Sequence, residues 1–322
     1  RDWRAGRAAR GASARGSACR TGRAGGVRKR ARGKRQASEV PPWAMAEEAE
    51  LAGTQAVVPA FASEDLQEMM DKFTPEAWSE LRACYGEDVA DETVARFLIA
   101  RNGSVERAKE MLDRHLVWRA ANLPVLDHEV PKELNQGAYV IRGHDRRGYP
   151  IIWYRVKIND PETRDLEEAC RMMVYALEHA IATLDETKSK VTVVLDRSEL
   201  TRNADMELTK RAAALMSVNM PERLKTCYIF PTGFVYYALW SVAKWFFDPV
   251  TRSKVVPLMD ATGLFEYIDA SQTPAELGGE ADYYAIPAEE LFQPQTYSPE
   301  EVEGIMARRA AAAEERPSVG NI

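Results

Sequence analysis

The sequence predicts an α/β protein: a mostly parallel sheet with covering helices, preceded by a small all-helical bundle. Three observations carry that reading. Residues 64–121 show only helical periodicity. Two β-type runs at 138–142 and 150–156 flank a polar turn ending in glycine. Short unbroken apolar runs at 191–195, 226–230 and 255–259 then alternate with helical stretches, the pattern of βαβ units.

The elements follow in order. Ser63 or Glu64 opens a short helix to about Lys72. Thr74-Pro75 is an N-cap followed by proline at the first helical position, launching a helix toward Tyr85, with Gly86 as its stop. Asp91–Arg101 is a further short helix, broken by Asn102-Gly103. Ser104 caps the next one, where Val105, Ala108, Leu112 and Leu116 recur at helical spacing to about Ala121. AYVIR (138–142) and PIIWYRV (150–156) read as a hairpin around His144–Gly148. A long helix from Asp165 carries the stripe Leu166, Cys170, Met173, Leu177 and Ile181. VTVVL (191–195) is a strand covered on both faces. A helix at 204–219, a strand at 226–230, a helical stretch at 234–247 and a last strand at 255–259 complete the series, with Pro257 placing that strand near an edge. The predicted segments are 1–44 as a tail, 62–124 as the bundle, 128–287 as the sheet domain and 288–322 as a C-terminal extension whose last dozen residues read as a frayed helix and loose end.

Composition narrows the class. The chain has 322 residues, 45% hydrophobic and 29% charged, ordinary for a globular protein. The net charge of −6 is divided: residues 1–44 hold 11 Arg and 2 Lys against Asp2 and Glu39, and the remaining 30 basic and 47 acidic residues carry −17. A body this acidic lacks the basic footprint of nucleic-acid binding, so no nucleic-acid partner is expected. The Arg/Gly/Ala/Ser-rich tail cannot bury enough surface to offset its chain entropy and is expected to be disordered. Met45 followed by AEEAEL reads like an ordinary start. The tail then reads as upstream sequence, an organelle transit peptide, or a basic arm. Four widely spaced cysteines point to free thiols in a reducing compartment.

Residues 232–247 break the pattern with seven aromatics in sixteen positions: Phe234, Tyr236, Tyr237, Trp240, Trp245, Phe246 and Phe247. Apolar residues occur all round this helix. It is short of the roughly 20 residues a membrane span needs. Two readings stay open: a helix buried between layers, or one whose inner face covers an apolar ligand and whose outer face meets a bilayer. Enzyme motifs are missing: there is no Gly-x-Ser-x-Gly elbow, Walker loop or His-Glu-x-x-His, and the four histidines are scattered. No catalytic residue, metal site or cofactor is predicted.

Several stretches resemble the CRAL-TRIO lipid-binding family, in the family's order: ARFLIARNGSVERAKEMLDRHLVWR (95–119), AYVIRGHDRRGYPIIW (138–153) with its Asp-x-x-Gly-x-Pro turn, VTVVLD, MPERLKTCYIFPTGF, FFDPVTRSKV and TPAELGG. The resemblance is to the yeast-type phosphatidylinositol transfer branch. It implies headgroup binding by Arg101, Glu222 and Lys254, with Arg223 and Thr251 beside them. It also implies a lipid pocket of sheet floor and helix walls, gated by Phe234, Tyr237, Trp240, Trp245 and Phe246. A phosphodiester is a buried anion that needs a cation or donors, Lys254 acting as a point charge and Arg101 as a fork.

The sequence departs from that branch at five positions. Ile141, Ile152, Val191 and Val193 stand where the branch places two tyrosines, a Ser and a Thr for phosphatidylcholine, and Ile99 replaces its second Arg. The expected protein is a non-enzymatic, monomeric lipid carrier, cytoplasmic and peripheral at membranes, which holds phosphatidylinositol or a related phospholipid in an apolar pocket and exchanges or presents it through transient membrane contact. The alternatives are a carrier of a terpenoid, sterol or tocopherol-like ligand, and a membrane-signalling scaffold without transfer activity.

Overall fold

The computed structural model describes residue 58, residues 60–199 and residues 205–314, and only the backbone of Val235 and Leu239. The tail at 1–44, Cys19 and the end of the chain beyond 314 lie outside the described residues.

Four helices open the fold: α1 (Glu64–Met70), α2 (Pro75–Arg82), α3 (Asp91–Ala100) and α4 (Val105–Asn122). Thr74 caps α2 by accepting from the Ala77 N–H at 3.4 Å, as its sequence predicts. The apolar faces close on one another through Leu66, Leu81, Val94, Leu98, Met111 and Leu112, all buried. Helix α5 (Pro131–Gln136) leads into a five-stranded sheet of β1 (Tyr139–His144), β2 (Pro150–Arg155), β3 (Val191–Asp196), β4 (Leu224–Phe230) and β5 (Val255–Pro257). The strands lie in sequence order; β1 pairs antiparallel with β2, and every other pair is parallel. The crossovers carry α6 (Leu166–Ala182), α7 (Met206–Asn219), α8 (Phe234–Ala243) and the short α9 (Pro249–Ser253).

Asp145 builds the hairpin turn. Its Oδ1 accepts the backbone N–H groups of Arg147 (2.9 Å) and Tyr149 (3.1 Å), and its Oδ2 accepts the Thr192 hydroxyl of β3 at 2.8 Å. Gly148 takes φ +84 there, a conformation that a side chain would strain.

The strand register aligns two apolar rows on one face. Ile141, Ile152, Val193, Cys227 and Val255 form the first; Tyr139, Tyr154, Leu195, Ile229 and Pro257 form the second. The opposite face is covered by 3₁₀ turns between residues 261 and 290, where Tyr228 stacks on Tyr267 at 4.8 Å and Trp153 meets Tyr284 edge-on at 6.5 Å.

The C-terminal extension contains a helix, and most of the frayed end expected at 311–322 lies outside the described residues. Residues Pro299–Glu314 form α10, and Arg309 reaches Glu129 with two 2.8 Å hydrogen bonds and the Ala121 carbonyl with one of 3.1 Å. A forked guanidinium on a carboxylate fixes both distance and orientation, which a weakly apolar helix cannot do alone.

Glu133 on α5 is 1% exposed, and neither carboxylate oxygen has a hydrogen-bond partner. Burial, with Glu168 nearby, raises its pKa from 4.5 to about 7. A carboxyl that holds its proton more tightly when folded contributes most below the unfolded value. Its stabilisation is lost as pH rises through the folded value. Stability should therefore fall between about pH 4.5 and pH 7, by on the order of 3 kcal/mol. Urea unfolding at pH 5 and pH 8 checks this: Glu133→Gln should flatten the difference, and an unchanged pH slope would remove Glu133 as its source.

Candidate functional site: a lysine cluster beside an aromatic helix

Helix α8 lies on the apolar rows. Tyr236 and Trp240 turn inward and pack with Cys227, Ile229, Val193 and Leu195. Val193, Leu195 and Val255 on that floor are only partly buried. The helix touches the floor through Tyr236 and Trp240 and leaves several positions of the two apolar rows only partly covered. Phe234 (90% exposed), Tyr237 and Trp245 (71% exposed) point outward, so these three do not line a pocket; helical spacing puts them on the face away from the sheet. Phe246 is half-buried. Tyr236, which the sequence reading did not select, is the buried aromatic of α8, and its hydroxyl has no hydrogen-bond partner. Among the described residues, no helix is long and apolar enough to cross a membrane.

Of the four positions that depart from the phosphatidylcholine set, Ile141, Ile152 and Val193 are neighbours in a single row, and Val191 precedes Val193 by one pleat on the same face of β3. They present only methyl groups to whatever covers that floor.

At the N-terminal end of β3 and β4 the structure gathers charge. Glu222 pairs with Lys254 at 3.2 Å and with Lys190 at 3.8 Å. Lys190, 7% exposed, is also 3.9 Å from Asp65 of α1. Asp65 in turn holds Lys225 at 2.9 Å and accepts the Tyr149 hydroxyl at 2.7 Å. Burial depresses the Lys190 pKa, against the pull of Asp65 and Glu222. Burial alone would raise the Asp65 carboxyl; hydrogen bonds from Lys225 and Tyr149 outweigh it and hold its pKa below the usual range. Three lysines against two carboxylates leave one positive charge in excess. Glu222 takes φ +56, a left-handed conformation that costs a non-glycine residue about 1–2 kcal/mol.

The five residues assigned to a headgroup separate. Glu222 and Lys254 meet. Thr251, one turn before Lys254, donates its hydroxyl to Asp248 at 2.5 Å and its N–H to the same carboxylate at 2.9 Å, so that Asp248 caps α9. Arg101 donates to the Ala100 carbonyl at 3.0 Å and has no ion pair with Glu222 among the described residues. Arg223 donates to the Ser189 carbonyl at 2.9 Å and lines a different cleft, against the bundle. Glu222 takes its left-handed turn conformation immediately before β4, and the two neighbouring side chains reach different partners, Lys254 for Glu222 and the Ser189 carbonyl for Arg223. Lys190, Lys225 and Asp65 were missed because isolated charges in sequence read as solvated surface.

A parallel sheet extended by one antiparallel hairpin, an aromatic helix across one face and a helical bundle ahead of it define the class. Residues 134–279, which hold the sheet and its crossovers, match the CRAL/TRIO domain family. It is 27% identical over 223 residues to the phosphatidylinositol transfer protein CSR1 of Eremothecium gossypii, covering 65% of this chain and 50% of that protein. It is 31% identical over 210 residues to a CRAL-TRIO domain-containing protein of Schizosaccharomyces pombe, covering 61% and 59%. The crystal structure of Sfh5 superposes with a TM-score of 0.53 at 18% identity, covering 81% of this chain and 91% of that one, a likeness of fold. The matches thus span between half and three-fifths of the length of these two curated relatives.

Proposed function

We propose that the protein binds phosphatidylinositol and exchanges or presents it at membranes. The observation that carries this reading is the single excess positive charge of the Lys190–Glu222–Lys254 cluster, which a phosphodiester monoanion would neutralise. Acyl chains would lie on the apolar rows beneath α8, each buried CH₂ contributing about 0.8 kcal/mol. The likeness to a phosphatidylinositol transfer protein supports the same ligand. Mass spectrometry of the lipid extracted from purified protein tests it: phosphatidylinositol is the expected species, and recovery of sterol, retinoid or tocopherol alone would reject the headgroup assignment.

The all-apolar row Ile141, Ile152 and Val193 favours a second reading, a carrier of a smaller hydrophobic ligand, because no hydroxyl there can partner a choline phosphate.

Membrane contact would run through the outward aromatics of α8 and the 3₁₀ turn that follows it. Phe234→Ser with Trp245→Ser should slow vesicle-to-vesicle transfer by about tenfold or more while leaving urea stability within about 0.5 kcal/mol, since both side chains are exposed. Transfer at the parental rate would take the membrane contact away from this face.

A further inference from the structure

A second basic cleft lies apart from the lysine cluster, between the helical bundle and the crossovers. Its volume is about 260 Å³, and its polar lining is Arg96 of α3, His115 and Arg119 of α4, Glu178 of α6, Asn219 at the end of α7, and Arg223. Arg96 is 7% exposed, donates to the Thr93 hydroxyl at 3.2 Å, and has no ion pair among the described residues. Arg223 has none either; its one hydrogen bond is to the Ser189 carbonyl. Arg119 stands 3.9 Å from Glu178 with its side chain half-exposed at the mouth. Asp88 is the other carboxylate of the lining, and Glu92 also acts on Arg96 and Arg223, so the buried Arg96 and Arg223 have carboxylates nearby but no direct ion pair among the described residues.

Burying a charge without a partner is costly, and guanidinium groups pay that cost only where an anion offsets it. Burial pushes the Arg96 pKa down to about 9, with Arg223 and Arg119 adding repulsion and Glu92 opposing it. Two further buried residues of the lining, His115 and Asn219, are 4% and 7% exposed and interact side chain to side chain. Convergent arginine forks match the oxygens of phosphate.

We infer that this cleft binds a phosphate-class oxyanion, at a site separate from the lysine cluster. The ligand is either a free phosphate or phosphate ester, or the phosphorylated headgroup of a lipid.

Calorimetric titration of the full chain with inorganic phosphate at constant ionic strength is the first arm. Flotation with phosphatidylcholine vesicles containing phosphatidylinositol 4-phosphate is the second. Saturable phosphate binding that Arg119→Gln and Arg223→Gln each weaken by about tenfold or more, and that Glu178→Gln tightens, assigns the free anion. Vesicle binding with the same dependence, competed by inorganic phosphate, assigns the headgroup. Arg119 is half-exposed, so Arg119→Gln should fold, as far-UV circular dichroism can verify. Binding in either arm should survive Lys254→Ala, which separates this site from the lysine cluster. No binding in either arm, or binding indifferent to Arg119→Gln and Arg223→Gln, overturns the inference.

Discussion

Replacing Glu222 and Lys254 together by alanine should abolish phosphatidylinositol transfer while leaving the far-UV circular dichroism spectrum unchanged. The two side chains form a 3.2 Å pair with 13% and 18% of their side-chain surface exposed, so each interacts in a partly desolvated setting. Truncating one partner of a buried charge pair costs about 2–5 kcal/mol, and 3 kcal/mol is on the order of a hundredfold in affinity. The fold survives because Lys190 retains Asp65 at 3.9 Å and no apolar core residue is touched. A vesicle assay with radiolabelled phosphatidylinositol measures the effect. Transfer at the parental rate would show the pair to be structural.

Asp145→Ala should be the most damaging single substitution for stability. Asp145 is 4% exposed and accepts three hydrogen bonds, two from the turn it organises and one from Thr192 on β3. Hydrogen bonds to an ionised acceptor contribute about 1.5–3 kcal/mol each, and the stranded donors add to the loss. A total of about 4 kcal/mol corresponds to a melting temperature lower by roughly 10 °C for a domain of this size. Asp145→Asn keeps one acceptor oxygen and should fall between the two. Thermal unfolding of all three proteins tests the ranking; an alanine variant within about 1 kcal/mol of the parent would mean that the turn closes without the carboxylate.

The sheet was legible because each strand announces itself locally. VTVVL and TCYIF are unbroken apolar runs between helical stretches, and the polar turn at 144–148 can only join neighbouring strands. The 3₁₀ turns that cover the second sheet face have no such signature: Leu264, Ile268 and Leu277 are buried, but too short a run separates them from the next turn for any period to show. At the site, the resemblance found Glu222 and Lys254. It did not find Lys190, Lys225 or Asp65, which are brought together from β3, β4 and α1 by the fold. Arg223 was grouped with Glu222 by adjacency, but the left-handed turn at Glu222, which sequence does not announce, precedes β4 and the two side chains reach different clusters. In α8 the aromatic count was legible, but not which side of the helix meets the sheet: Tyr236 and Tyr237 are neighbours in sequence and lie on opposite sides of burial.

Asp65 belongs to two assemblies at once. It is the acid by which α1 grips Tyr149 and Lys225, and it is a counter-charge for Lys190 beside Glu222. Any anion that draws Lys190 or Lys225 toward itself loosens that grip, and anything that tightens the seat of α1 weakens the competitor. Linkage makes the exchange symmetric. If the proposed headgroup site lies here, the first helix of the bundle is a tethered rival for the same cations, and lengthening, trimming or neutralising it would retune affinity from outside the lipid's footprint.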